Sequence, residues 1–217
     1  AEPSAPQFPV PVPRAELAKS PPPPTGRVAK DGGIATFASR RDPPGGWDIM
    51  QQSIYFDLHQ MGGPLWGDGN VVRRCLDDAY KVCPGLAESW EVNSDFTQWT
   101  FKVRDNLVWH DGKPFTVEDV RYWADLGFFG AKSADGTKTR RPSLFKSEFG
   151  DLQKVEVLDS TRVRFTLGSR RPLLLETLSN AVYTIALPKH LTQPRIDAGE
   201  VTVTPQEIGF VGAGPFK

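Results

Sequence analysis

The run Trp99-Thr100-Phe101-Lys102-Val103-Arg104 alternates apolar and polar residues without a break. Successive side chains of a strand point to opposite faces, so such a run must bury one face and wet the other. It is the clearest strand in the chain, and it demands partner strands and an apolar layer beneath them. Val155-Glu156-Val157-Leu158 and Val163-Arg164-Phe165-Thr166-Leu167 flank Asp159-Ser160-Thr161, the spacing of a compact hairpin. Thr116-Val117-Glu118-Asp119 has the form of a capping box, with Thr116 placed to accept from the free amides of a helix. Val120, Trp123 and Leu126 carry that helix to a stop near Gly127 or Gly130. Leu86–Val92 reads as a short helical turn running into a strand, and 131–150 as a polar, mobile loop or excursion. Elsewhere the pattern predicts a strand over Ile34–Ala38, a helix over 48–61, a helical stretch around Leu173–Leu178 and an apolar strand over Val182–Leu187. This irregular alternation of strands and helices predicts a mixed α/β fold of the α+β kind, with a substantial antiparallel component.

The 26 basic and 26 acidic side chains cancel, so the chain offers no electrostatic reason to bind nucleic acid or an anionic membrane. No apolar run approaches the roughly 20 residues of a membrane-spanning helix. The start lacks a charged segment followed by an apolar core, which is expected of an exported chain whose signal has been removed. Ala1 suits the position after a small-residue cleavage site, and since it is not Cys no lipid anchor is expected there. Nine prolines fall within residues 1–24, so 1–30 is expected to be an extended, proline-rich arm or tether. The alternative for that arm, a proline-rich ligand for another protein, has no further support in the sequence.

Cys75 and Cys83 stand eight residues apart in a segment with a polar centre and apolar flanks, as in a β-hairpin. Cysteines facing each other across paired strands can meet disulfide geometry, and an even count suits an oxidising compartment. Two free buried thiols is the competing reading. No Cys-x-x-Cys occurs, and no metal site is expected. Asp77-Asp78 is read as turn chemistry before paired carboxylates. Asp111-Gly112 is read as a tight turn, His110 as a surface turn residue, and His59 and His190 as isolated. Trp90 and Trp99 are expected in a core beneath the sheet.

Three segments carry a resemblance: Pro84-Gly-Leu-Ala-Glu-Ser-Trp-Glu-Val92, then Trp99–Arg104, then Trp109-His-Asp-Gly-Lys-Pro-Phe-Thr-Val-Glu-Asp-Val120. In this order and at this spacing they resemble the signature block of the periplasmic dipeptide/oligopeptide-binding proteins, the family 5 extracellular solute-binding proteins of ABC importers. The entry Gly32–Ala38, the step Leu187-Pro188-Lys189-His190 and the end Gly212–Lys217 agree, so the resemblance covers roughly residues 30 to 217. Gln98 departs from the pattern, residues 61–70 are unusually rich in Gly, and the chain stops where family members continue.

The resemblance implies a two-lobe periplasmic-binding-protein-like fold, with residues 31–217 forming an incomplete first lobe. It implies capture of a peptide or peptide-like solute by hinge closure and delivery to an ABC transporter permease, with the remainder of the same protein or a partner fragment completing the fold. Opines, nickel chelates, oligosaccharides and haem remain open as solutes. The implied rim of ligand contacts here is Arg41, Trp47, Gln52, Ser53, Tyr55 and Phe129. Arg41 offers a planar fork to a carboxylate, Trp47, Tyr55 and Phe129 offer aromatic walls, and Gln52 and Ser53 offer hydrogen bonds. Periplasmic residence follows, and no cofactor is implied. The competing class, an enzyme, finds no nucleophile elbow, no zinc-protease helix, no P-loop and no dinucleotide fingerprint. A non-transport subunit of a larger periplasmic assembly is the remaining alternative, motivated by the short chain and its proline-rich arm.

Overall fold

The computed structural model describes residues 70–75, 78, 81–143, 146–180, 186–200, 202–204, 207–209 and 211–214. The predicted strand over Ile34–Ala38, the helix over 48–61, the proline-rich arm and most of the Val182–Leu187 strand lie outside them.

The alternating run forms the centre of a four-stranded antiparallel sheet. β3 (Ala87–Val92), β4 (Gln98–Val103), β7 (Leu152–Val157) and β8 (Arg162–Leu167) lie in the order β3-β4-β8-β7. β4 sets Trp99 opposite Phe165 and Phe101 opposite Val163, so one face carries Trp99, Phe101, Val103, Val163, Phe165 and Leu167, all buried. Register is pinned because a slip of one residue would turn this whole apolar set into water. Trp99 is thus in the core, as its alternation predicts, and Trp90, opposite Phe101, packs partly buried against it.

The apolar face is covered by α1 (Val117–Phe129), which lies against β7 and β8. Val120, Trp123, Ala124 and Phe128 of α1 are buried. The Trp123 ring stacks on Phe165 at 6.4 Å, and Phe165 meets Phe101 edge-on at 5.4 Å. The capping box forms, since the Thr116 N–H donates to Asp119 Oδ2 at 2.9 Å while the Asp119 amide faces the Thr116 side chain, and the Thr116 hydroxyl also lies 3.2 Å from Asp119 Oδ2. At the other end the helix stops at Gly130, with φ +73° and ψ −162°.

One sequence expectation fails here. Leu86-Ala87 is no helical turn: the Leu86 and Ala87 amides donate to the carbonyls of Asn70 and Val71, so sheet pairing claims them before a helix can form. Of the two readings of 131–150, the structure shows an excursion with its own local order. β5 (Ala131–Lys132) pairs with β6 (Thr139–Arg140), and a 3-10 turn over Lys146–Phe149 brings Phe149 into the core. The Asp135 carboxylate organises the hairpin by accepting from the Ser133 hydroxyl and from the amide and hydroxyl of Thr137. A short polar side chain bonding backbone two residues on is the turn signal that polarity alone conceals.

The β7–β8 hairpin turns as expected at 159–161, where Asp159 accepts from the Thr161 and Arg162 amides, each at 2.9 Å. The Ser133 hydroxyl, followed by the Thr137 amide, holds the Asp135 carboxyl at about 2. The Thr161 amide, followed by Arg162, does the same for Asp159. An unfolded Asp titrates near about 3.9, so between about pH 4 and pH 2 the unfolded chain binds more protons. Stability from these two turns is therefore complete above about pH 4 and lost as the pH falls through about 2. An NMR carboxyl titration is expected to give both midpoints near 2, and midpoints near 4 would remove the contribution.

The cysteine hairpin is present. β1 (Val72–Arg74) pairs antiparallel with β2 (Val82–Pro84), Arg73 opposite Cys83. Cys75 follows β1 and forms a disulfide with Cys83, Cα to Cα 5.1 Å. Since the Cys75 amide donates to the Lys81 carbonyl, the bridge runs diagonally across the hairpin. That outcome excludes two free thiols. Asp78 sits in a turn role, its carbonyl accepting from the Lys81 amide, while Asp77 lies outside the described residues. Arg74 pairs with Glu176 of α2 (Leu174–Leu178), tying the hairpin to that helix. The helix α3 (Lys189–Asp197) then packs beside α1. Among the described residues, no helix is long and apolar enough to cross a membrane.

Candidate functional site

Of the six rim residues the sequence nominates, Arg41, Trp47, Gln52, Ser53 and Tyr55 lie outside the described residues. Phe129 is described, and it ends α1 with 49% of its surface exposed. Its neighbour Phe128 turns the other way, buried edge-on against Phe149 at 4.9 Å. The helical step of about 100° separates the two rings, and Gly130 turns the chain sharply behind them. A Cβ on Gly130 would lie 2.3 Å from the Arg140 carbonyl oxygen, so β6 fixes where Phe129 can stand. An exposed ring held this way can wall a flat or apolar part of a solute.

Beside this helix end, α1 and α3 enclose a cleft of about 210 Å³. Arg121 reaches Glu118 at 3.5 Å and Asp125 at 3.3 Å, and Lys189 of α3 reaches Glu118 at 3.8 Å. Burial raises the Asp125 carboxyl above its ordinary value, outweighing the opposing pull of Arg121. Behind them Tyr122 is buried, and burial likewise raises its phenol. Thr192 Oγ1 stands 2.9 Å from both the Tyr122 oxygen and the Pro188 carbonyl. A carbonyl only accepts and a hydroxyl has one hydrogen, so Thr192 donates to Pro188 and Tyr122 donates to Thr192.

The turn at 109–112 departs from the sequence reading. Asp111-Gly112 is a tight turn as expected, with Gly112 at φ +84° and the Lys113 amide on Asp111 Oδ1. But His190 is not isolated, since its Nε2 lies 2.7 Å from Asp111 Oδ2. Burial pushes the Asp111 carboxyl up, while the bonds from His190 and the Lys113 amide more than offset it and leave it below the ordinary value. His110 is half-buried rather than a free surface group. Its amide donates to the Gly212 carbonyl at 3.0 Å, the Gly212 amide donates to its Nδ1 at 3.2 Å, and its Nε2 lies 2.7 Å from the Gly214 carbonyl. Local spacing carries no sign of partners 79 and about 100 residues away. Among the described residues no group of three or more His, Cys, Asp or Glu could hold a metal ion.

The sequence profile of the bacterial extracellular solute-binding proteins, family 5 (middle region), matches residues 81–217. A putative ABC transporter peptide-binding protein of Brucella ovis is 27% identical over 149 residues, which are 65% of this chain and 24% of that protein. The glutathione-binding protein GsiB of Pectobacterium atrosepticum is 28% identical over 195 residues, 88% of this chain and 32% of that protein. Among solved structures, the binding protein MoaA of A. tumefaciens R10, in complex with mannopinic acid, superposes with a TM-score of 0.59 at 29% identity, covering 81% of this chain and 32% of MoaA. The chain thus spans about a quarter to a third of the length of these relatives. The profile match over more than half the chain, carried on an antiparallel sheet and capped helix where the signature residues form the core, is decisive: the chain belongs to the family 5 bacterial extracellular solute-binding proteins.

Proposed function

We propose that this chain supplies first-lobe structure to a periplasmic solute-binding protein, which captures a peptide or peptide-like solute and delivers it unchanged to the permease of an ABC importer. The observation that carries this reading is the family match over residues 81–217. Relatives named for binding peptides, glutathione and mannopinic acid support the solute class. All of these solutes carry carboxylates, and Arg41 has the planar fork that pairs with one bidentately. Trp47, Tyr55 and Phe129 are the aromatic walls of the proposed rim, and Gln52 and Ser53 its neutral hydrogen-bonding groups. The disulfide between Cys75 and Cys83 fits an oxidising compartment.

The test is calorimetric titration of the full-length protein with a dipeptide, glutathione and mannopinic acid. One of them is expected to bind, and mass spectrometry is expected to recover it chemically intact. Arg41→Ala and Trp47→Ala are each expected to weaken binding by about tenfold or more, the scale of a lost charge-assisted pair or a buried aromatic contact. Unchanged affinity in both variants would remove this rim, and a converted solute would overturn the binding-protein reading.

A further inference from the structure

We propose that His110 is a positioning residue whose ring latches the segment 211–214 against the turn at 109–112 and so fixes the path of the backbone there. The inference rests on the reading that a solute is captured between this lobe and a second one.

The segment is Val211-Gly212-Ala213-Gly214. Val211 is buried and Ala213 packs partly against the core, but the two glycines have no side chains by which packing could hold them. Glycine also has the most conformational freedom to lose. His110 compensates from both ring nitrogens. Because the Gly212 amide donates to Nδ1, that nitrogen carries no proton, so Nε2 bears it and donates to the Gly214 carbonyl. With the His110 amide on the Gly212 carbonyl, the residue makes three bonds to a stretch of three residues.

The latch is mounted on a stiff base. Trp109 is 1% exposed and packs on Phe115 at 4.9 Å. The Gly112 amide closes the turn onto the Trp109 carbonyl at 2.8 Å. On its far side Asp111 holds His190 at the start of α3. One four-residue turn therefore ties α3 and the 211–214 segment to the sheet domain, and movement of that segment must work against the His110 ring.

Three variants of the full-length protein separate the two ring bonds. His110→Phe keeps the ring and loses both, His110→Asn keeps an acceptor where Nδ1 stands, and His110→Gln keeps a donor near Nε2. Hydrogen exchange at the Gly212 amide is expected to quicken about tenfold in the Phe and Gln variants, the worth of one hydrogen bond, and to stay near wild type in the Asn variant. Solute affinity is expected to fall several-fold in the Phe variant and less in the other two. Unchanged exchange at Gly212 in all three would overturn the latch. Faster exchange with unchanged affinity would overturn its positioning role. If wild-type protein binds no solute at all, the solute-capture reading fails and the positioning role falls with it, while the exchange data still report on the latch itself.

Discussion

Gly130→Val is expected to cost about 3 kcal/mol or more, the sum of strain at a nearly glycine-only backbone conformation and a backbone clash. The position has φ +73° and ψ −162°, a region that a β-branched residue cannot enter without strain. A Cβ there would also meet the Arg140 carbonyl at 2.3 Å and the Pro142 nitrogen at 3.1 Å. These are backbone atoms and cannot swing aside. Gly112→Ala separates the two effects, because Gly112 also has positive φ but nothing lies within 4 Å of its Cβ position. That variant is expected to lose only about 1 kcal/mol. Both are read from denaturant midpoints of the full-length protein. A Gly130→Val loss no larger than that of Gly112→Ala would show that β6 can yield, and Phe129 would lose its fixed support.

Phe165→Ala is the other large effect, expected at about 3–5 kcal/mol for a fully buried ring replaced by a cavity. Phe165 is 1% exposed at the centre of β8 and touches both layers of the core, Phe101 in the sheet and Trp123 on α1. The cavity would open at the seam between helix and sheet, where the neighbouring rings cannot close it without leaving their own rotamers. Leu173→Ala is the comparison, since Leu173 is 66% exposed and should change stability by no more than about 0.5 kcal/mol. A Phe165→Ala loss below about 2 kcal/mol would mean that the seam collapses and the core is less tightly specified than its packing indicates.

These two positions differ in how much of their role the sequence shows. Phe165 was legible as an inward residue, because period-2 alternation and the Asp159-Ser160-Thr161 turn fix face and register together. Thr116 was legible as a helix start for a similarly local reason. Gly130 stands in the sequence only as one of two stopping points, and its close approach to Arg140 depends on a hairpin that the polar composition of 131–150 hides. Leu86-Ala87 misled because its local helical tendency is weaker than pairing with Asn70 and Val71, residues some 16 positions away. The candidate rim rests on a resemblance and not on chemistry readable in Arg41, Trp47, Gln52, Ser53 or Tyr55 themselves.

The features whose physics is local can be read from the residues alone: alternation that buries one face of β4 and β8, the cap at Thr116, the turns at Asp111 and Asp159, and the hairpin carrying Cys75 and Cys83. The ordered signature segments also determined the family. The folded chain is needed to see that Cys75 and Cys83 join, that Gly130 must remain without a side chain, that Asp111 pairs with His190, and that His110 grips Gly212 and Gly214. The disulfide needs only the register of its hairpin, whereas the other three depend on groups brought together by packing across the fold. Spacing along a chain reports such proximity only within a few residues, where backbone geometry rather than packing sets the distance.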